Sequence, residues 1–338
     1  MALAERLQRE WISGGLLSDL LRPLALIYGF LIKLRAVLYR RGWLKTETLP
    51  VPVIVVGNWI VGGAGKTPTT LALLAILKRQ GLRAGVISRG YGRQADDVRL
   101  VTRSSHANDV GDEPLLIHLR SGVPVAVGRN RVAAARALLT SNPSVQLLVS
   151  DDGLQHLRLP RALSILVFDD RGVGNGRLLP AGPLRQAAAD KLAPDELVLY
   201  NAVERSTPLP GALALRRLAG AVRLEEWWSG RAASLEALHA FRGHAVMATA
   251  GMAQPQRFFD MLIEQGLSIE PLPLPDHDDF ATLPWPDGTP DVLLTEKDAV
   301  KIDPARCGTT RVWVVALDFQ PEQAFERVLG EHLARLLP

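Results

Sequence analysis

The run Gly57-Asn58-Trp59-Ile60-Val61-Gly62-Gly63-Ala64-Gly65-Lys66-Thr67-Pro68 is the segment whose residue types and spacing are best suited to chemistry. A phosphate-binding loop reads G-x-x-x-x-G-K-[ST]. Gly65, Lys66 and Thr67 satisfy its end, whereas its first glycine would fall at Ile60. Gly62 and Gly63 partly make this good, because glycines let backbone N–H groups approach an anion with no Cβ in the way. Ile60, Val61, Gly62, Gly63, Ala64, Gly65, Lys66 and Thr67 are therefore expected to bind a nucleotide. Lys66 would place its charge on the β and γ phosphates, Thr67 would offer its hydroxyl to Mg²⁺, and the following helix would add its N-terminal dipole. A plain strand-to-helix turn is the alternative, and it leaves a lysine at the helix start unexplained.

Such a loop needs carboxylates. Residues 147–150 are apolar up to Ser150 and deliver Asp151-Asp152-Gly153 at the end of an expected strand. One of the two aspartates is expected to hold a metal-bound water; alternatively, one merely caps the next turn. Gly111-Asp112-Glu113-Pro114 sets two adjacent carboxylates ahead of an apparent helix at 114–119. This can be helix-start chemistry, with Asp as cap and Pro at the first helical position. It can also supply the base that a phosphotransferase needs for an acceptor hydroxyl. His156, and His277 among Asp276, Asp278 and Asp279, are the notable histidines; an aspartate beside His277 could raise its pKa. His-x₃-His or Cys-x₂-Cys spacing is absent, so no protein-built zinc site is expected. Thr295-Glu296-Lys297-Asp298 invites a guanine-specificity reading that fails because Glu296 stands at the lysine position, which favours ATP. Lys297 and Asp298 are left as either a surface pair or functional groups.

These groups have to be positioned by a helix-covered parallel sheet. The β-branched run 51–57 reads as a buried parallel strand, the glycine-rich loop follows, and 69–80 reads as a helix closed by Gly81. Strands are expected near 84–88, 124–127, 145–150, 164–168 and 196–200, with a helix at 131–139. This βα alternation predicts an α/β fold of the P-loop NTPase kind, with ligands at the carboxyl ends of the strands. The segment 206–211, rich in Ser, Thr, Pro and Gly, looks like a boundary. Beyond it, 244–250, 256–265 and 292–295 repeat strand, helix and strand, which predicts a second, smaller α/β domain. The expected division is 1–45, an N-terminal amphipathic helix; 46–205, the P-loop core; and 206–338, the smaller domain. Six prolines between Pro271 and Pro290 are expected to forbid regular structure there, and no internal repeat is visible.

Length and composition set the outer bounds. The 338 residues, 47% of them hydrophobic, can bury a real core and exclude disordered and collagen-like classes. The single cysteine, Cys307, excludes a disulfide scaffold. A net charge of +4, from 39 basic and 35 acidic residues, is too small to mark a nucleic-acid binder. Arg22, Lys33, Arg35, Arg40, Arg41 and Lys45 carry a local +6 with no acid between them, so the remainder is slightly acidic. The apolar stretch 23–32 is ten residues long, whereas a spanning helix needs about 20. Acidic residues ahead of it and the lack of a cleavage site argue against a signal peptide. Arg22, Lys33 and Arg40 share a helical stripe. Two readings stand: an amphipathic helix packed on its own domain, or a monotopic anchor whose basic residues meet anionic lipid.

Taken in order along nearly the whole chain, these motifs resemble the tetraacyldisaccharide 4′-kinase (lipid A 4′-kinase) family. The resemblance is carried by Gly57-Asn58 through Gly65-Lys66-Thr67-Pro68, Ser88-Arg89-Gly90-Tyr91-Gly92, Gly111-Asp112-Glu113-Pro114 and Asp151-Asp152-Gly153-Leu154-Gln155-His156. It continues through Asn175-Gly176, Leu179-Pro180-Ala181-Gly182-Pro183-Leu184-Arg185, Gly251 to Pro255, Arg257-Phe258-Phe259, Asp276-His277 and 295–301. Ala64, where the family often has threonine, and Gln186, where glutamate is usual, depart from the pattern. The resemblance implies transfer of the ATP γ-phosphate to the 4′-hydroxyl of a tetraacylated glucosamine disaccharide 1-phosphate, giving lipid IVA. The implied location is peripheral, on the cytoplasmic face of a Gram-negative inner membrane. The implied partners are that acylated lipid and the membrane surface, with no nucleic acid and no obligate protein partner. It implies Asp112 as general base supported by His277, Lys66 on the transferring phosphoryl group, Thr67, Glu113 and Asp152 as metal candidates, and Asp151 assisting. The competing readings are a soluble P-loop kinase or ligase for a small metabolite, and a nucleotide-driven switch or metallochaperone. The second class usually shows Cys or His clusters or an intact guanine motif, and neither is present.

Overall fold

The computed structural model describes residues 3–93 and 95–337. The chain folds into two compact units. The first comprises 1–88, 130–215 and 320–338; the second comprises 89–129 and 216–319.

The first unit is a P-loop α/β fold. Its strands are short β-branched and aliphatic runs that can only satisfy their backbones by pairing and are buried on both faces. All five residues of Val53–Gly57 are buried, as are all seven of Leu163–Asp169. Val53–Gly57 lies centrally, parallel to Leu147–Asp151 on one side and to Leu163–Asp169 on the other. Ala84–Ser88 extends the sheet beyond Leu147–Asp151, and Glu196–Asn201 extends it beyond Leu163–Asp169. The register matters for function. Val56 is level with Asp151, so the glycine-rich loop and the Asp151-Asp152 pair leave the sheet at the same, carboxyl edge.

The helix Lys66–Arg79 begins at the loop and buries Thr69, Thr70, Leu73, Leu74, Ile76 and Leu77. It therefore starts earlier than the apolar pattern suggests, with Lys66 and Thr67 in its first turn. Three helices precede the sheet: Leu3–Ser13, Leu16–Leu20 and Arg22–Arg40. On the last of these Ala25 is buried, the Tyr28 hydroxyl donates to the Arg185 carbonyl at 3.0 Å, and a Cβ on Gly29 would come within 2.8 Å of Leu178. That face packs inward. Leu24, Ile27, Leu31 and Leu34, spaced three and four apart, are all exposed. No described helix is long and apolar enough to cross a membrane.

The second unit joins a segment between strands of the first to a stretch more than 80 residues later. Its parallel strands run in the order Ser268–Pro273, Ala245–Ala250, Asp291–Thr295 and Arg311–Pro321. Phe258, Phe259 and Leu262 of the helix Pro255–Glu264 fill an apolar cluster with Leu218, Val246 and Leu293. Residues 89–129 contribute the antiparallel pair Arg99–Val101 and Val125–Val127 and the helix Asp112–Ser121. The expectation of no regular structure after residue 270 is corrected at its start. Pro271 and Pro273 lie in Ser268–Pro273, which pairs on one side only, so a missing N–H costs no ladder bond on the open side.

Candidate active site

In the first unit the geometry of the loop follows from its glycines. Gly62 and Gly65 both have φ of 92°, a left-handed conformation that L side chains rarely adopt. A Cβ on Gly65 would also collide with Asn201, whose Nδ2 donates to the Ala64 carbonyl at 3.0 Å. Arg171 fastens the other shoulder, donating to the Gly63 carbonyl at 3.2 Å while its Nε donates to Asp169 at 2.9 Å.

Lys66 Nζ donates to Asn58 Oδ1 at 3.4 Å and to the Gly62 carbonyl at 3.3 Å, and lies 3.9 Å from Asp152 Oδ1. Arg185 meets the same carboxylate with its two terminal guanidinium nitrogens, Nη2 to Oδ1 at 2.9 Å and Nη1 to Oδ2 at 3.3 Å. Its Nη2 also donates to the Asn58 carbonyl at 2.9 Å. Burial pushes the Asp152 carboxyl up, but the charges of Lys66, Arg185 and Arg131 outweigh burial and hold it below the ordinary aspartate value. Asp152 itself has φ of 49°, which turns its side chain away from the path of the strand. Asp151 goes elsewhere: it is buried and accepts from Thr70 Oγ1 at 3.0 Å, tying the strand to the helix behind the loop. Gln186 accepts from Gln155 Nε2 at 3.2 Å, and that same nitrogen reaches the Asn58 carbonyl.

In the second unit Asp112 and Glu113 open the helix Asp112–Ser121 after Gly111, and Asp112 Oδ1 accepts from the Glu113 amide at 3.0 Å. Its other oxygen lies 3.1 Å from His277 Nδ1, although the two residues are 165 apart in sequence. His277 Nε2 lies 3.4 Å from Lys297 Nζ, which also reaches Asp276 Oδ1 at 3.3 Å. An ammonium can only donate, so in neutral His277 the Nε2 lone pair faces Lys297 and the proton sits on Nδ1, donated to Asp112. Burial pushes the Asp112 carboxyl up, and the His277 hydrogen bond with the charges of Lys297 and Lys301 brings it below its ordinary value. The Asp112 hydrogen bond raises His277 against burial and the Lys297 charge. Burial lowers Lys297, but Glu113, Asp112 and Asp276 raise it overall, so it stays a cation.

What holds Asp112 opposite His277 is the Thr295-Glu296-Lys297-Asp298 segment. Arg120, at the far end of the Asp112 helix, donates to buried Glu296 at 2.5 Å, and Trp227 Nε1 donates to the same oxygen at 3.0 Å. Asp298 accepts from Thr295 Oγ1 at 2.7 Å and from the Gly251 amide at 3.0 Å, so it is structural.

The structure thus gathers Lys66 and Asp152 in the first unit, and Asp112 and His277 in the second. It adds Asn58 and Arg185, to which the sequence alone assigned no role, and Lys297, which the sequence left as either a surface group or a functional one. Asn58 and Arg185 stand in the motifs that carry the resemblance, which is the one signal that could have pointed to them. His156 is pushed down to about 4 by burial and by Arg131, Arg35 and Arg158, and so stays neutral at physiological pH. Among the described residues no three His, Cys, Asp or Glu side chains gather to hold a metal. An ionised, partly exposed Asp152 beside a glycine cradle fits Mg²⁺, which is usually held by one or two carboxylates plus phosphate oxygens.

A buried parallel sheet, a glycine loop opening a helix, and a lysine paired with an aspartate at the next strand end define a P-loop phosphotransferase. The sequence pattern of the tetraacyldisaccharide-1-P 4′-kinase family matches residues 17–334. The chain is 52% identical over 337 residues to the tetraacyldisaccharide 4′-kinase of Methylibium petroleiphilum, covering 98% of this chain and 94% of that one. It is 53% identical over 338 residues to that of Leptothrix cholodnii, covering 99% and 96%. Its fold is similar to crystalline LpxK from Aquifex aeolicus in complex with ATP, with a TM-score of 0.79, 27% identity and coverage of 96% and 100%. The chain belongs to the tetraacyldisaccharide 4′-kinase family.

Proposed function

We infer that the chain transfers the γ-phosphoryl group of ATP to the 4′-hydroxyl of a tetraacylated disaccharide 1-phosphate, the step that completes the two phosphates of lipid IVA. The observation that carries this reading is the family match across residues 17–334, on a chain whose loop presents Lys66, Asp152 and Arg185 together. ATP is the phosphoryl donor and Mg²⁺ the metal. The acceptor oxygen forms a new bond to the γ-phosphorus as the bond to the β–γ bridging oxygen breaks, and ADP leaves.

Asp112 takes the hydroxyl proton onto its carboxylate. It is ionised, and His277 orients it through the Nδ1 hydrogen bond. Lys66 stabilises charge on the moving phosphoryl group from its position over the loop, and the backbone of 60–67 cradles the phosphates. Thr67 and Asp152, in the first unit, are the residues that would hold Mg²⁺, which would offset phosphate charge when bound, and Glu113, in the second unit, is a further metal candidate. Asp151 acts indirectly, by fixing the strand end from which Asp152 departs.

The enzyme works at a lipid surface, because its acceptor keeps its acyl chains in the membrane. Residues 1–45 support this. The helix Arg22–Arg40 turns Leu24, Ile27, Leu31 and Leu34 outward, between Arg22 and the basic residues that follow. An apolar stripe flanked by cations is the composition of an interfacial helix. Location on the cytoplasmic face of the inner membrane, without an obligate protein partner, follows as part of the same reading. The test is incubation with γ-labelled ATP, Mg²⁺ and the acylated disaccharide phosphate in mixed micelles. Label on the lipid is expected; label released only as inorganic phosphate overturns the reading.

A further inference from the structure

Within the first unit the helix Arg22–Arg40 reaches the nucleotide loop through two backbone carbonyls, and no role described so far uses those contacts. The Tyr28 hydroxyl donates to the Arg185 carbonyl at 3.0 Å, and Arg35 Nη1 donates to the Gln155 carbonyl at 3.2 Å. Tyr28 and Arg35 are seven residues apart, close to two helical turns, so they lie in one line along the helix. The two residues they hold then converge. Arg185 Nη2 donates to the Asn58 carbonyl at 2.9 Å, and Gln155 Nε2 donates to the same oxygen at 3.3 Å. Asn58 in turn accepts from Lys66 Nζ on its side-chain oxygen at 3.4 Å. The path from helix to lysine therefore runs through Arg185 or Gln155 and then through Asn58.

A second set of contacts runs beside the first, through residues 178–185. On the helix side, Gly29 lets Leu178 approach so closely that a Cβ there would fall 2.8 Å from its Cδ1. On the loop side, the Val61 amide donates to the Pro183 carbonyl at 2.9 Å and the Arg185 amide to the Trp59 carbonyl at 2.7 Å. The helix itself is slightly held. Among its 19 residues only Ala25 is buried, and Leu24, Ile27, Leu31 and Leu34 are exposed beside the line of Tyr28 and Arg35. An element that buries so little apolar surface opens at low free energy. Whatever fixes the helix therefore lowers the cost of ordering the loop, and whatever fixes the loop steadies the helix by the same factor.

We propose that Tyr28 and Arg35 are positioning residues for nucleotide binding, and that a lipid surface meeting the exposed stripe strengthens their hold and with it the affinity for ATP. That lipid is what meets the stripe rests on the function proposed above; the positioning of the loop by the helix does not. Each side chain acts through a carbonyl, Tyr28 through that of Arg185 and Arg35 through that of Gln155. Burial pushes the Tyr28 hydroxyl up against the charges of Arg185 and Arg35, so it keeps the proton it donates. The coupling is reciprocal: a chain at the surface binds ATP more tightly, and a chain holding ATP binds the surface more tightly. The enzyme is thereby loaded with its donor where an acylated acceptor resides.

The test uses the full-length protein with Mg²⁺, a non-hydrolysable ATP analogue, and vesicles of phosphatidylethanolamine and anionic phosphatidylglycerol. Without vesicles, the analogue should slow amide hydrogen exchange across residues 22–40 of the wild type by roughly threefold or more. Tyr28→Phe, which removes a hydroxyl and keeps the ring, should lose most of that protection and raise the Kd of the analogue roughly 2- to 10-fold. Arg35→Gln should do the same, whereas Lys33→Gln, which removes the same charge from an exposed neighbour, should do neither. Exchange that the analogue leaves unchanged in the wild type, or slows equally in Tyr28→Phe, overturns the positioning role. With vesicles, the wild-type Kd for the analogue should fall roughly fivefold or more, and the analogue should strengthen vesicle partitioning by the same factor. In the double variant Tyr28→Phe, Arg35→Gln that factor should shrink to near one. Wild-type protein that sediments with the vesicles yet binds the analogue no better overturns the coupling and leaves the surface reading standing. Wild-type protein that does not sediment with them sinks the surface reading and the lipid half of the proposal together, and exchange across 22–40 still decides the roles of Tyr28 and Arg35.

Discussion

Removing the donor from Asp112 is the sharpest test of the base. In His277→Ala the 3.1 Å contact to Asp112 Oδ2 disappears, while the carboxylate remains buried at the start of its helix with the Glu113 amide on its other oxygen. A hydrogen bond to a charged group contributes about 1.5–3 kcal/mol, so losing it should lower kcat roughly 10- to 100-fold. The binding of ATP should be nearly unaffected, because a group that orients the base acts on the acceptor proton. Asp112→Asn removes the proposed base and should cost on the order of 10²–10⁴-fold. The double variant decides between a coupled pair and two independent groups. If His277 acts only through Asp112, adding His277→Ala to Asp112→Asn should cost little further. Initial rates with labelled ATP and saturating acceptor give all four corners of the cycle. Multiplicative losses in the double variant, or near-normal kcat in His277→Ala, would refute the dyad and reassign the base.

Three further outcomes follow from the same geometry. Gly65→Ala forces φ of 92° on an alanine and drives its Cβ into Asn201; it should destabilise the loop by about 1–3 kcal/mol and abolish nucleotide binding, read by thermal shift with and without ATP. Asp112 and Asp152 have folded-state pKa values below their unfolded ones. Their contribution to stability is full above the unfolded value of about 3.9 and is lost as pH falls through the folded values, so Asp152→Asn should flatten the acid limb of Tm against pH. Conversely His277, raised on folding, stabilises fully below about pH 6.5 and loses that contribution as pH rises through its folded value. Ile27→Asp with Leu31→Asp should weaken sedimentation with anionic vesicles by roughly tenfold or more per side chain while leaving Tm unchanged, since both side chains are exposed. Undiminished vesicle binding would remove the helix from the lipid surface.

The geometry around the loop was legible in the sequence because its signals are local. A β-branched run ending in glycine announces a buried strand, and a lysine one residue beyond Gly65 announces the helix start. The aspartate pair after 147–150 could be read for the same reason, but not which of the two faces the loop. That depends on the left-handed turn at Asp152 and on Thr70 claiming Asp151, and neither leaves a mark in the spacing. Arg185 lies 33 residues beyond Asp152, and Lys297 lies 20 beyond His277; both stand in motifs that carry the resemblance, but their partners are set by tertiary structure. The pairing of Asp112 with His277 came from family resemblance alone. The edge strand Ser268–Pro273 was misread because proline is excluded from strands only where a neighbour needs its N–H.

The division of the second unit into 89–129 and 216–319 also sets the order in which the enzyme can become active. During synthesis the P-loop, Asp151-Asp152 and Arg185 emerge early, and the proposed base Asp112 emerges with them. Its partners His277 and Lys297, and the Glu296 that anchors Arg120, follow more than 160 residues later. At roughly 5–20 residues per second that is a delay of about ten seconds or more in which Asp112 lacks its orienting histidine. A ribosome-bound chain can therefore display a phosphate loop before it owns a working base, and chains truncated ahead of residue 277 should bind ATP at most and transfer nothing.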